Sequence, residues 1–284
     1  MDIGIGLPTT IPGAAGSDLV RWARRAESTG FSTLGALDRF VYDNYEPLTA
    51  LSVAAGATER IRLATTILIA AYRDSAALLA KQTASLQRLS GNRLVLGVAA
   101  GGRADDYEAN GTSYEDRGRR LDTMLDEIRQ VWLATGRWGD VGPAPDPPPP
   151  LIVGGHSPAA MRRVARHGAG WIAGGSSAAG FAVLAAQARQ AWTDAGRGGA
   201  PRTYALAYVS LGRDGRSAAE QYLRRYYAFI GEKADRAAAG VITDGSQLQD
   251  LRAAYAAAGC DELLLFPCVA DPDQVDLIAK DALS

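Results

Sequence analysis

Cysteine and histidine are scarce, with two of each in 284 residues. Two cysteines cannot staple a disulfide scaffold. With only two histidines beside them, little material exists for a zinc or haem centre, although carboxylate metal sites stay open. An excess of one charge is lacking too. Thirty basic residues face 31 acidic ones, for a net charge of −1, so the electrostatic footprint of a nucleic-acid binder is missing. No run of about 18 apolar residues occurs, so no membrane span is expected. Met1-Asp2-Ile3-Gly4 has neither a basic segment nor a long apolar core, which argues against a signal peptide and for the cytoplasm. The 47% of hydrophobic residues is too high for a disordered chain.

The chain alternates short apolar runs with longer amphipathic segments. The runs predict eight strands: Ile3–Leu7, Thr33–Leu37, Ile61–Ile67, Arg93–Ala99, Leu151–Val153, Gly170–Ala173, Thr203–Leu211 and Glu262–Phe266. Helices are expected between them. Ser17 reads as a cap before Leu19, Trp22, Ala23 and Ala26. Pro47 starts a second helix and Ser75 opens a third. Between Asp116 and Trp132 an apolar stripe of Leu121, Met124, Leu125, Ile128, Val131 and Trp132 has a clear helical period. Further helices are expected from Pro158, around Phe181–Ala195, from Ser217 to about Ile230, over Gln247–Ala258 and over Pro272–Leu283. Eight strand-then-helix units predict an α/β fold with a parallel sheet, because parallel strands need crossover helices. Eight units close naturally as a (β/α)8 barrel, which takes roughly 250 residues, so residues 1–284 read as a single barrel domain. A doubly wound open sheet is the competing architecture. Six prolines within Gly142–Pro150 interrupt the pattern as an extended, rigid connector into strand five.

In a barrel the chemistry sits at the C-terminal strand ends. Those positions here are Pro8 and Thr9, then Asp38, Arg39 and Tyr42, then Thr65, Thr66 and Tyr72. Strand four leads into Ala100, Gly101, Gly102 and Arg103, strand five into Gly154, Gly155, His156 and Ser157, and strand six into Gly174 and Gly175. Strand seven offers Tyr204 and Tyr208, and strand eight offers Cys268. Glycines that lead into a helix let backbone N–H groups approach an anion, so the loops after strands five and six are candidate phosphate sites. A tight βα turn explains each loop equally well. The loop after strand four lacks the dinucleotide fingerprint. Nucleophile elbows and zincin motifs are missing, and no metal is expected. Asp105, Asp106 and Glu108 read as a solvated helix start, His167 as a capping or surface residue, and Cys260 and Cys268 as core residues.

Several segments together resemble the bacterial luciferase-like family of flavin- and deazaflavin-dependent oxidoreductases, which are β/α barrels. They are Ile5-Gly-Leu-Pro8, Ala26–Phe31, Thr58–Thr66, Leu79-Ala-Lys-Gln82, Leu89–Val98, Tyr107–Gly111, Glu115–Asp122, Ile152–Pro158 and Gly170-Trp-Ile172. The ordered set spans about residues 3 to 175. The resemblance implies a flavin lying across the strand ends, with a cis peptide near Thr66-Ile67 beneath the ring. It places cofactor contacts at Thr65, Thr66, Ala100, Gly101, Gly102, Tyr107, Gly154, Gly155, His156, Ser157, Gly174 and Gly175. The family's acidic–His pair after strand two corresponds to Asp38 and Arg39, so the His is missing. Arg39 cannot act as a base. It is expected either to hold an anion beside Asp38 as the catalytic pair or to form a salt bridge to Asp38 or Asp43. The missing base tilts the resemblance toward an FMN-dependent two-component monooxygenase, fed by a separate flavin reductase and acting on a small, aromatic or polyketide-like substrate. Tyr42, Tyr45, Tyr72 and Tyr107 would line its pocket. A hydride-transfer enzyme using an 8-hydroxy-5-deazaflavin coenzyme is the alternative, and a non-catalytic flavin-binding barrel or a partner-dependent subunit is a third reading. The resemblance also implies a homodimer, with Leu48, Leu51 and Leu78 as interface candidates.

Overall fold

The computed structural model describes residues 1–284, the side chain of Lys233 apart. β1 (Asp2–Gly6), β2 (Thr33–Ala36), β3 (Arg62–Thr65), β4 (Leu68–Ile69), β5 (Leu94–Ala99), β6 (Leu151–Gly154), β7 (Gly170–Ala173), β8 (Arg202–Val209) and β9 (Glu262–Pro267) are all parallel. β1 pairs with both β2 and β9, so the sheet closes. The barrel has eight staves because the expected third strand is split. β3 pairs with the start of β5 at Leu63↔Leu94, and β4 pairs with its end at Leu68↔Val98. The break falls at Thr66-Ile67, whose peptide bond is cis.

Helices α1 (Gly16–Thr29), α2 (Pro47–Ala57), α3 (Ala76–Leu89), α5 (Arg117–Trp132), α6 (Pro158–His167), α7 (Ala178–Asp194), α8 (Gly215–Tyr226), α10 (Gly245–Ala257) and α11 (Asp273–Ala282) take the expected places. Two short helices, α4 (Ala104–Ala109) and α9 (Lys233–Ala239), were not expected. α1 buries Leu19, Trp22, Ala23 and Ala26, as the spacing predicts. Its N-cap is Ala15 with no side-chain cap, so Ser17 lies inside the first turn instead of before it. Gly30 ends α1 at φ 97°, a left-handed conformation that suits glycine, with its N–H bonded to the carbonyls of Ala26 and Glu27. Ser75 caps α3 by accepting from the N–H of Leu78. α5 buries the whole predicted stripe. Each of these large apolar side chains contributes about 2 kcal/mol on leaving water.

The proline-rich connector forms no regular element. Lys81, Gln87 and Arg88 of α3, with Asn92 just beyond it, bind the carbonyls of Gly142, Pro147, Ala144 and Asp146. That lacing holds the connector against the barrel as it enters β6.

The two ends of the barrel differ. At the N-terminal end Glu262 is fully buried and accepts from the hydroxyls of Ser32 and Thr33. Its other oxygen accepts from Arg62 at 3.0 Å and Arg202 at 3.2 Å, and both guanidiniums also reach Asp2. Burial pushes the Asp2 carboxyl up, but the hydrogen bonds and charges of Arg62 and Arg202 outweigh it and hold the group below the usual range. Tyr204 belongs to this end, opposite Glu262 in register, and not to the mouth where strand seven was expected to offer it.

Candidate active site

The C-terminal mouth is built from the strand-end loops. β2 runs into Asp38, which is buried. Asp38 accepts from the N–H of Ile69 at 2.8 Å, the hydroxyl of Tyr72 at 2.8 Å and the guanidinium of Arg73 at 2.7 Å. Burial, followed by the charge of Asp38, pushes the Tyr72 phenol far up, so it stays a donor. Asp38 therefore ties the end of β2 to the β4 segment.

Arg39 pairs with neither Asp38 nor Asp43. It donates to the carbonyl of Val41 and to Asp105 at 3.1 Å, and its Nε lies 3.7 Å from Asp106. Asp106 is buried instead of solvated, because it accepts from the backbone N–H groups of Phe40 and Val41. The acidic helix start is thus the anchor of the β2 loop. A partner 66 residues away gives no local sequence signal.

Thr65 donates to the carbonyl of Gly97 at 2.7 Å and Thr66 to that of Ala36 at 3.3 Å. Both hydroxyls brace the break in the third stave. The side chain of Ile67 fills the space where a Cβ on Gly154 would stand, 1.9 Å from its Cδ1. Gly154 therefore makes room for the bulge, which sets it apart from the loop glycines beyond it.

Three of those loop glycines face open space. A Cβ on Gly102, Gly174 or Gly175 would meet no heavy atom within 4 Å. Gly101, Gly155 and Gly175 have φ of 73°, 122° and 59°, and the left-handed region turns each chain into its helix. Ser157 and Ser177 cap α6 and α7 by accepting from the N–H groups of Ala160 and Gly180. The carbonyl of Gly155 accepts from Trp171 at 2.8 Å, and Tyr255 donates to the carbonyl of Ser176. Ser176 Oγ is buried with no partner. His156 is exposed at the rim. Tyr107 donates to the carbonyl of Ala100 and steadies the loop after β5.

A cavity of about 50 Å³ opens between Asp38, Ile69, Gly101, Gly102, Arg103, Asp106 and Tyr107. It brings Asp38, Gly101, Gly102 and Tyr107 together. Arg39, Gly155, His156, Ser157, Gly174 and Gly175 stand outside its lining, while Thr65 and Thr66 line a smaller inner cavity that reaches down to Thr33 and Tyr204.

Beside Arg39 lies a tyrosine cluster, of which sequence reading named Tyr42 and Tyr208 and missed Tyr222, Tyr226 and Tyr227. Tyr226 meets Tyr42 edge-on at 5.3 Å and Tyr227 at 5.1 Å. Tyr208 and Tyr227 share a 3.0 Å hydrogen bond, and Tyr222 and Thr10 one of 2.7 Å. The signal was present as Tyr222 and Tyr226 at i and i+4, which puts both on one helix face. Burial pushes the phenols of Tyr208, Tyr222 and Tyr226 far above their ordinary value. Of the other named tyrosines, Tyr45 is exposed and donates to the carbonyl of Ala14. Cys268 is buried beneath the cluster, and burial pushes its thiol up.

Outside the mouth, His167 is buried at the end of α6 and not on the surface. Leu48 and Leu51 pack inward, and of the three proposed interface leucines only Leu78 is exposed. Among the described residues no helix is long and apolar enough to cross a membrane.

A sequence profile of luciferase-like monooxygenases matches residues 1–277. An uncharacterized protein of Mycobacterium tuberculosis is 32% identical over 207 residues, which cover 62% of this chain and 71% of that protein. The F420-dependent hydroxymycolic acid dehydrogenase of the same organism is 31% identical over 173 residues, covering 55% of this chain and 48% of that one. The crystal structure of a monooxygenase from Streptomyces bottropensis superposes with a TM-score of 0.78 at 20% identity, over 100% of this chain and 99% of that one. With a closed parallel barrel, a cis peptide in its third stave and a profile match over nearly its whole length, the chain belongs to the luciferase-like monooxygenase family and is an oxidoreductase of that family.

Proposed function

We propose that the chain is an FMN-dependent monooxygenase of the two-component kind, acting on a small apolar or aromatic substrate. The observation that carries this reading is a mouth rich in aromatic rings and fixed cations whose buried carboxylates are already committed. Asp38 is spent on three donors, Arg39 is paired with Asp105, and the tyrosines are held protonated. Such a site orients and shields a reaction but lends it no free base. A bound reduced flavin would supply the electrons and the oxygen chemistry.

The residues present fit such a cofactor. The glycines at 102, 174 and 175 leave open the volume a Cβ would fill, and Ser176 has a buried hydroxyl with no partner. Loops after β5, β6 and β7 would take the phosphate through backbone N–H groups. Thr65 and Thr66 would support it from the strand ends, and Asp38 and Arg39, each held by its own partners, would shape its surroundings. The tyrosine cluster, with Tyr42, Tyr72 and Tyr107, keeps water from the reacting face. We assign the whole of residues 1–284 to one barrel domain, working in the cytoplasm as a homodimer with a separate flavin reductase. Sizing in solution tests the dimer.

A second reading, hydride transfer with a deazaflavin, is favoured by the name of the 31% identical dehydrogenase. Titration of the protein with FMN and with F420, followed by tryptophan quenching, separates the two. Saturable FMN binding and oxygen uptake with reduced FMN are expected. Binding of F420 alone moves the assignment to the second reading, and binding of neither overturns both.

A further inference from the structure

Arg103 stands where the glycine loop after β5 meets the segment that follows α8. Both of its terminal nitrogens donate to the carbonyl of Tyr226, at 3.2 Å each. Its guanidinium lies 3.7 Å from the centre of the Phe229 ring and 4.8 Å from that of Tyr226. Among the described residues no carboxylate lies within ion-pair distance of it, whereas Arg39 and Arg73 nearby are both paired. A guanidinium carries five donors and one full charge. Here it gives two of those donors to a single neutral carbonyl.

The segment it holds spans the mouth. The turn Ala228–Ile230 carries Phe229, whose ring also lies 5.9 Å from the Arg39 guanidinium, and Tyr226 leans on Tyr42 of the β2 loop. Arg103 lines the cavity of about 50 Å³ with Gly101 and Gly102. That volume suits one or two waters and not a tricyclic ring, which needs a pocket of roughly 300 Å³ or more. The same side chain thus borders the open glycine loop and fastens the segment that covers it.

We propose that Arg103 is a latch: its guanidinium holds the 226–230 segment over the strand ends until the phosphate of a flavin-type nucleotide replaces it. This inference rests on the cofactor reading above. A phosphate offers a bidentate, charge-assisted partner that a carbonyl and a ring face cannot match. Binding therefore releases the segment, and loss of the cofactor restores it. The exchange couples occupancy of the phosphate site to access to the tyrosine-lined face where substrate would lie.

The test compares FMN with riboflavin, which differ only in the phosphate, and F420 with its chromophore, which lacks the phosphate-bearing tail. Tryptophan quenching in the intact chain reads both pairs. The expected result is a preference for the phosphorylated partner that Arg103→Ala cuts about tenfold and Arg103→Lys cuts less. Phe229→Ala should speed cofactor association several-fold in stopped flow. Without any ligand, chymotrypsin should cleave Arg103→Ala at Tyr226–Phe229 several-fold faster than the parent, with far-UV circular dichroism unchanged. If the parent binds a phosphorylated cofactor and Arg103→Ala keeps the full preference, the exchange is wrong and the cofactor reading stands. If the parent binds none of the four, the reading fails and the exchange fails with it. Unchanged cleavage of Arg103→Ala removes the latch itself.

Discussion

The two ends of this barrel differ in how their buried oxygen atoms are partnered. At the N-terminal end, Glu262 has both oxygens engaged by four side chains, and Asp261 accepts from the N–H and hydroxyl of Thr203. At the C-terminal end, Thr9 Oγ1, Tyr42 Oη, Ser176 Oγ and Ser210 Oγ are buried with no partner. An unmade buried hydrogen bond costs roughly 1–3 kcal/mol. Water or a ligand at the mouth would complete those bonds. The difference sets the end whose network holds the molecule together apart from the end where a barrel carries its chemistry.

Four experiments sharpen or break this contrast, in order of expected effect. Glu262→Ala strands two arginines and two hydroxyls, and urea unfolding should show a loss of about 3 kcal/mol, the low end for a broken buried pair because the arginines keep some water. A loss under about 1 kcal/mol means the N-terminal network is ornamental. Asp38→Asn tests the saturated carboxylate of the mouth. It keeps the shape but leaves Arg73 with the exposed Glu46 as its one carboxylate, beside the carbonyl of Ile69, and about 2 kcal/mol should be lost. An unchanged midpoint refutes the brace between β2 and β4.

The third experiment uses acid. The folded Asp2 carboxyl titrates below its unfolded value near 3.8, so its contribution is complete above that pH and fades as pH falls through the folded value. Asp2→Asn should flatten the loss of stability as pH falls below 3.8 by under about 1 kcal/mol, since Asp2 is half-exposed. A steeper loss in the variant reverses the sign and the idea. The smallest effect goes the other way. Thr9→Val removes an unpartnered hydroxyl, and the apo protein should hold its stability or gain up to about 1 kcal/mol, while cofactor or substrate affinity falls several-fold. Destabilisation of the apo form shows that Thr9 already has a partner.

Much of the fold is legible in the chain because each stave is a short apolar run closed by Gly, Pro or a capping Ser. Thr66-Ile67 and the glycine loops at 101, 155 and 175 follow from the same strand-end rule and from family resemblance. The split of the third stave is harder to read, since Ile61–Ile67 reads as one strand and only its pairing with two halves of β5 breaks it. The fates of Arg39 and Asp106 depend on a contact between two loops 66 residues apart. Arg103 meets its carbonyl across 123 residues. Periodicity reports which face a residue turns inward, but it carries no information about which distant loop arrives there.

The serine caps of α6 and α7 have one further consequence. Ser157 and Ser177 fix their loops through bonds inside their own helices, so the two N–H cradles exist before any ligand arrives. The entropy of ordering those loops is spent during folding and does not weigh on association. On the proposed cofactor reading, an anion entering here would meet a preorganised seat, and its binding energy would be left for the 226–230 segment.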